Sequence, residues 1–266
     1  MRLFMAQYDD DDDIADEAQQ EWEEKHITLP PSFHVPLFQL LGHSVDKIRR
    51  SAARAITHGL LLYPQSASVV LERVEKKCQE IQAIEDPNER KSQQHVIMSL
   101  FFLLEQCATE KALGVEQVIH VMDLLFVYGF SHDVRMQAMK AGECLMESYG
   151  SGCPEEILNY LNNKLNSLEK DADTEEEWAI QDHQREGGIV LLGKVTCYLA
   201  DGDKRIFSTV TTLLNALSIP AASVQEAVAR YLTPLFKYDC LKAQAKSYID
   251  SLLNQLTDGS SYAIRR

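Results

Sequence analysis

The residues of this chain that could do chemistry are eight histidines and six cysteines, and their spacing forms no recognisable site. No two histidines stand at the His-Glu-x-x-His spacing of a zinc protease, and none accompanies a cysteine pair. Successive cysteines are separated by 29, 37, 9, 44 and 43 residues, so the chain has no Cys-x-x-Cys pair. The spacing predicts no metal site, and it predicts reduced cysteines that pack as small hydrophobic side chains.

The glycine and glutamate pairs also lack the context of a catalytic motif. Gly187 and Gly188 follow no predicted strand and belong to no phosphate-binding loop, so they predict close packing inside a helix. Glu155 and Glu156 follow Pro154, where acidic side chains stabilise the first turn of a helix. We therefore predict no catalytic residue, no cofactor and no small-molecule substrate, and we expect a binding scaffold rather than an enzyme.

The net charge of −14 is concentrated near the N-terminus. Residues 1–24 contain ten acidic side chains and one basic side chain, and five consecutive aspartates occupy positions 9–13. Such a run repels itself and buries little apolar area, which predicts a disordered acidic leader at residues 1–13. An alternative is that this leader binds a basic partner. The rest of the chain is close to neutral, so it indicates no globally basic face for nucleic acid.

The remainder of the chain has the periodicity of amphipathic helices. Apolar residues recur every three or four positions within residues 206–217, 224–235 and 241–256. Glycine and proline are scarce, at 12 and 8 of 266 residues, which disfavours an all-β fold. No apolar run reaches the roughly 18 residues that a membrane span requires, and the aspartates follow the N-terminus too closely for a signal sequence. These features predict an all-α, cytoplasmic protein.

Three helix starts share a pattern of a polar residue, an apolar residue, an Arg or Gln, and then small residues. They lie at residues 46–53, 132–138 and 223–228, and their apolar positions are 86 and 90 residues apart, about two units of 43 to 45 residues each. A period in the low forties with two helices per unit is typical of the HEAT family. The chain resembles that family, which implies an all-α HEAT-repeat solenoid of about five to six helical pairs in a right-handed superhelical stack over residues 14–266.

Charged side chains near these helix starts are the candidate contact residues. They are Arg49, Arg50, Arg54, Asp133, Arg135, Lys140, Arg265 and Arg266. One interpretation is a ladder of Asp–Arg pairs between neighbouring repeats. The alternative is contact with a partner such as RNA phosphate, which predicts strong salt dependence.

Two further segments carry open interpretations. Residues 169–177 form an acidic loop leading into a helix, and this loop is either a solvated insertion or a contact for a basic protein surface. Residues 258–266 read as the start of another loop and helix. We therefore expect the chain to be a fragment of a longer solenoid, with its final repeat truncated.

A more specific resemblance lies in segments that follow one another in order. They include Val-Leu-Leu-Gly-Lys-Val at 190–195, Ser-Val-Gln-Glu-Ala-Val-Ala-Arg-Tyr-Leu-Thr-Pro-Leu at 223–235, and Ser-Ser-Tyr-Ala-Ile-Arg-Arg at 260–266. These segments resemble the general control non-derepressible one family of very large HEAT scaffolds. The match is strongest over residues 187–266, and it is loose over residues 63–166.

The resemblance implies a central segment of such a scaffold, entering the region similar to elongation factor three. The partners it implies are ribosomes or polysomes and an ABC-type ATPase. Through the full-length protein it also implies positive regulation of the kinase that phosphorylates initiation factor two alpha in amino-acid starvation. The alternative is a HEAT scaffold of the transport-receptor or phosphatase-scaffold type, with no link to translation.

Overall fold

The computed structural model describes residues 1–129, 132–168, 175–219 and 221–258, and every regular element in these ranges is a helix. The α-helices are α1 (Arg2–Ala6), α2 (Asp12–Glu24), α3 (His34–Leu40), α4 (Asp46–Leu62), α5 (Ala67–Gln82), α6 (Pro87–Ser92), α7 (Gln94–Thr109), α8 (Val115–Tyr128), α9 (His132–Tyr149), α10 (Pro154–Ser167), α11 (Glu175–Thr196), α12 (Lys204–Ala216), α13 (Ala222–Leu235), α14 (Asp239–Lys242) and α15 (Ala245–Asp258). A turn of 3-10 helix, Pro64–Ser66, precedes α5. The all-α prediction is confirmed, and the handedness of the stack stays a prediction.

The helices form two compact units, Met1–Ser148 and Tyr149–Arg266. In the first unit α4 packs against α3 and α7, while α5 packs against α8. In the second unit α11 packs against α10, α12 and α13. Within each unit, long helices contact both a neighbour in sequence and a helix further along the chain, as expected of paired helical repeats.

Small side chains allow α4 to approach its neighbours closely. Ala52, Ala53 and Ala55 are fully buried on the broad packed side of the helix, as the small residues of the repeated sequence pattern predict. The helix ends at Leu62 because Pro64 has no backbone N–H to continue the hydrogen-bond ladder. The buried side of α4 thus combines three alanines with the larger Ile56 and Leu60.

Two glycines allow neighbouring side chains to approach α11 closely. A Cβ atom at Gly188 would lie 2.6 Å from Leu165 Cδ2, and a Cβ atom at Gly193 would lie 2.5 Å from Tyr231 Cβ. Both distances are far shorter than the van der Waals contact of two carbon atoms. The prediction that the glycine pair marks close packing inside a helix is confirmed at Gly188.

We expect Gly193→Ala to destabilise the second unit more than Gly188→Ala does. The atom opposite Gly193 is the Cβ of Tyr231, which moves only with its backbone, whereas the atom opposite Gly188 is the end of a rotatable leucine. Overpacking costs about 1–3 kcal/mol, offset by the roughly 1 kcal/mol that alanine gains over glycine in a helix. Urea unfolding of the two variants measures the difference, and equal midpoints would contradict this account of the α11–α13 contact.

Hydrogen bonds tie neighbouring repeats of the second unit together. The Tyr238 hydroxyl lies 2.9 Å from both the Thr196 and Leu199 carbonyl oxygens, and it donates its proton to this pair. The Asp201 carboxylate accepts from the backbone N–H groups of Asp239 and Cys240. The buried Tyr238 and Thr196 are 42 residues apart, which agrees with the repeat period read from the sequence.

The acidic segment at the N-terminus departs from the expected leader. Phe4 of α1 is buried, its ring lies 5.3 Å from that of Trp22, and α1 packs against α4. The boundary expected after residue 13 falls inside α2, which begins at Asp12 with the Asp11 carboxylate capping its first turn. The aromatic side chains among the acids supply apolar contacts that a count of charges does not register.

Candidate partner-contact surface

The cysteines of the described residues are placed for packing rather than for reaction. All six are free thiols, and Cys78 and Cys107 lie in the core of the first unit. Burial raises the pKa of Cys78 and of Cys107 to about 12, so both stay protonated at neutral pH. Within the same described ranges, no three histidine, cysteine or acidic side chains come together in a group that could hold a metal ion.

Arg49 and Arg50 form their ion pairs within α4. Arg49 Nη2 lies 2.7 Å from Asp46 Oδ1, and Arg50 Nε lies 2.6 Å from Asp46 Oδ2. Arg49 Nη1 also donates to the carbonyl oxygens of His43 and Ser44, so it closes the loop that precedes the helix. The shared aspartate belongs to the same helix, which differs from the expected pairing with a neighbouring repeat.

The two arginines keep the Asp46 carboxylate charged. Desolvation raises the pKa of Asp46, but the hydrogen bond and charge of Arg50, with those of Arg49, outweigh it and hold that pKa below its ordinary value. Asp46 also lies in the first turn of α4, where the helix dipole favours a negative charge. The cluster therefore carries two positive charges against one negative charge.

Arg54 and Lys140 form pairs that join different helices or segments. Arg54 Nη1 lies 2.5 Å from the Asp10 carboxylate, which links α4 to the N-terminal segment. Lys140 Nζ on α9 lies 3.0 Å from the carboxylate of Glu105 on α7. Glu105 is only 5% exposed, and it also accepts a 2.6 Å hydrogen bond from Gln137 Nε2. These pairs are the part of the candidate set that fits a ladder between neighbouring elements.

The structure does not place the other candidates in this cluster. Arg135 is half-buried on α9, and Asp133 lies in the same helix with its side chain outside the described residues. Arg265 and Arg266 also lie outside the described residues, as do residues 169–174 of the predicted acidic loop. Among the described basic candidates, Arg49 and Arg50 thus pair within α4, whereas Arg54 and Lys140 pair with other segments.

A groove that sequence reasoning missed crosses α4, α7 and α9, and we call it the methionine groove. It consists of two adjoining cavities of about 70 Å³ and about 390 Å³. Both are lined by Met98 and Gln137. The smaller one is also lined by Asp46, Arg49, Arg50, His95, Ser99 and Phe102, and the larger one by Met136, Met139, Lys140 and Glu143. One continuous surface is therefore lined by three of the predicted contact residues, Arg49, Arg50 and Lys140.

The groove has an apolar floor and a polar end. Met98 is 37% exposed and Met136 is 61% exposed, which is high for methionine on a packed helix. The Arg50 guanidinium lies 5.2 Å from the centre of the Phe102 ring, within range of a cation–π contact. Arg49 Nε is buried and has no hydrogen-bond partner among the described residues. The α4 end of the groove therefore presents positive charge, chiefly through the half-exposed Arg50.

Helical spacing alone could not reveal this groove. Met98 and Phe102 are four residues apart on α7, and Met136 and Met139 are three apart on α9. Apolar residues at such spacing ordinarily belong to the core. Only the three-dimensional packing separates these exposed methionines from the buried Met122 and Met146.

The family model described as "Stalled ribosome sensor GCN1, HEAT repeats" matches residues 1–197. "Stalled ribosome sensor GCN1" of Homo sapiens is 23% identical over 100% of this chain. "Protein ILITYHIA" of Arabidopsis thaliana is 26% identical over 99% of this chain, and "eIF-2-alpha kinase activator GCN1" of Saccharomyces cerevisiae is 22% identical over 96%. No solved structure matches the chain.

The chain spans about a tenth of the length of these curated relatives. The family match covers residues 63–166, where the resemblance seen in the sequence is loose, and the alignments with relatives extend over the rest. Among the described residues, no helix is long and apolar enough to cross a membrane. The all-helical repeat architecture agrees with the HEAT description, and the chain belongs to the GCN1 HEAT-repeat family.

Proposed function

We propose that this chain is a scaffold segment of a ribosome-associated regulator that activates the kinase phosphorylating initiation factor two alpha in amino-acid starvation. The observation that carries the proposal is the family match over residues 1–197, together with alignments that cover 96–100% of the chain. The human relative is named for sensing stalled ribosomes, and the yeast relative for activating the eIF-2-alpha kinase. Because the chain spans a tenth of each, its share in those activities is part of the proposal.

The proposed mechanism is geometric and requires no catalysis by this segment. Close packing at Gly188 and Gly193, and the Tyr238 hydrogen bonds between repeats, support rigid helical layers. Rigid layers keep binding surfaces at set separations, which lowers the entropic cost of bringing partners together. We place the segment in the cytoplasm, where ribosomes translate, and we include an ABC-type ATPase among the expected partners of the full-length protein.

The test is sedimentation and signalling by the full-length gene product that carries this chain. We expect it to co-sediment with polysomes at low salt, and we expect amino-acid starvation to raise phosphorylated initiation factor two alpha. Replacing this segment with HEAT repeats of equal length from an unrelated scaffold should lower both readouts. A full-length protein that stays at the top of the gradient would instead favour a HEAT scaffold with no link to translation.

The salt dependence of that sedimentation separates two kinds of contact. Binding through RNA phosphates releases counterions, so it weakens steeply as salt rises from about 50 to 200 mM. The affinity of binding through protein surfaces of mixed polarity changes less over the same range of salt concentration. The near-neutral charge of the chain beyond residue 24 leads us to expect the shallower dependence for contacts made by this segment.

A further inference from the structure

We propose that the methionine groove binds an amphipathic helix of a partner protein, with the partner's apolar side chains on the groove floor and its carboxylate at the Arg49–Arg50 end. This inference rests on the proposed scaffold function, since it names the kind of partner that the surface holds. It adds a binding site and a recognition chemistry that membership of a HEAT family does not specify.

The floor of the groove suits an apolar helix face. Met98, Met136 and Met139 supply flexible, polarisable side chains that adapt to a partner's shape. Phe102 continues the apolar surface toward α4. The groove lies across neighbouring helices, and such a groove is filled by apolar residues at positions i, i+3 or i+4, and i+7 of a partner helix. A single side chain of a partner would fill only a small part of the larger cavity of the groove, which has a volume of roughly 390 Å³.

The charges at the α4 end call for an acidic group on that helix. Arg49 and Arg50 share one carboxylate, that of Asp46, and His95 lies in the same cavity. The Arg50 side chain is 48% exposed at this end, so a partner can reach it. A carboxylate entering this end would accept from Arg50 and balance the extra positive charge.

The opposite end does not attract a second acidic group. Lys140 is already paired with the buried Glu105, and Glu143 lines the same cavity. The partner that fits is therefore a helix with one acidic end and an apolar stripe, not a uniformly acidic segment.

The same arrangement disfavours RNA as the occupant. A phosphate backbone is bound by a row of cations that neutralise successive charges. Among the described residues that line this groove, the arginines and lysines are Arg49, Arg50 and Lys140, and only the Arg49–Arg50 pair carries an excess of positive charge, so they form no such row. An exposed methionine floor also offers phosphate no favourable contact.

Methyl NMR of the 266-residue chain, with its methionines labelled, tests the proposal. The probe is a constrained helical peptide of about 15 residues, because free peptides of that length are only marginally helical. It carries leucines at i, i+3 and i+7 and a glutamate one turn before the first leucine. We expect saturable shifts of the Met98, Met136 and Met139 methyl signals, with the buried Met122 and Met146 signals unchanged.

Two comparison probes decide the chemistry. A peptide with lysine in place of the glutamate should bind about tenfold more weakly or worse, because its charge repels the arginines. A single-stranded RNA of ten nucleotides should leave the three methyl signals in place. Absence of saturable shifts with the acidic peptide, equal affinity for the lysine peptide, or shifts caused by RNA would each overturn the proposal.

Two variants test the site without relying on one substitution. Arg50→Glu should weaken acidic-peptide binding about tenfold or more. The matched control is Lys77→Glu on α5, where the side chain is similarly exposed and pairs with Glu80. Met136→Ser removes an exposed side chain, so it should reduce binding with the fold unchanged. Unchanged binding in both groove variants contradicts the proposal. Polysome sedimentation is scored separately, so its failure with intact peptide binding would count against the proposed function alone.

Discussion

Replacing Phe33 with alanine is expected to lower the free energy of unfolding of the first unit by about 3–5 kcal/mol. Phe33 is 0% exposed and sits where the chain enters α3. Its ring lies 6.0 Å from that of Tyr63, whose hydroxyl donates to the Leu29 carbonyl oxygen at 2.5 Å. Removing the ring would leave a cavity between α3 and α4 that the alanine-rich face of α4 cannot fill. Guanidinium unfolding followed by circular dichroism measures the loss.

The same site makes Gly59→Ala unfavourable although alanine is the better helix former. A Cβ atom at Gly59 would lie 2.2 Å from Cε2 of the Phe33 ring, so either the ring or α4 would have to move. Overpacking of this kind costs about 1–3 kcal/mol, more than the roughly 1 kcal/mol of helix propensity that the change gains. The net change is expected to be destabilising.

The double variant Phe33→Ala/Gly59→Ala distinguishes this contact from general damage. Once the ring is removed, the added methyl group enters the cavity and gains helix propensity, so the double variant should be more stable than Phe33→Ala alone. Leu62→Ala, at an exposed position of the same helix, serves as the control and should change stability by less than about 1 kcal/mol. Strict additivity of the two core changes would show that Phe33 and Gly59 are not in contact.

Local features of the fold were predictable where a residue type by itself restricts the backbone or the packing distance. Examples are the small residues of α4, the glycine pair of α11 and the proline that follows the N-cap of α10. Each of them constrains the structure of the chain within a few residues of its own position. Gly59 was not predictable as a contact, because its partner Phe33 is 26 positions earlier and no local pattern joins them. The repeat period in the low forties could be found in the sequence because its pattern recurs along the chain. A single contact such as Gly59 with Phe33 leaves no recurring pattern.

The candidate site was predicted only in part, for the same physical reason. Charge and spacing identify Arg49, Arg50 and Lys140 as residues of interest, and the structure places all three along the methionine groove. The carboxylates that pair with these residues were not predictable. Arg49 and Arg50 share Asp46 of their own helix, whereas Lys140 pairs with Glu105 of another helix. The exposure of Met98 and Met136 depends on what α7 and α9 leave uncovered, which periodicity does not determine.

Lys140→Met is the second change with a large expected effect. It removes the ionic partner of the buried Glu105 carboxylate, which would keep its hydrogen bond from the uncharged Gln137. Breaking a fully buried pair costs about 3–5 kcal/mol, and because the Lys140 side chain is 62% exposed we expect about 1–3 kcal/mol. The matched control is Lys242→Met, whose pair with Asp239 is exposed on both sides, and we expect it to leave the unfolding midpoint nearly unchanged.

The double variant Glu105→Met/Lys140→Met then decides whether Lys140 is a structural or a contact residue. With both charges replaced by a side chain of similar volume, no buried carboxylate is left unpaired, and stability should return to within about 1 kcal/mol of the original chain. Recovery of this kind assigns Lys140 to the tie between α7 and α9. If Lys140→Met is no worse than Lys242→Met, the tie contributes little. The exposed ammonium group would then be available to a partner at the groove, and peptide binding by the Lys140→Met chain would measure that contribution directly.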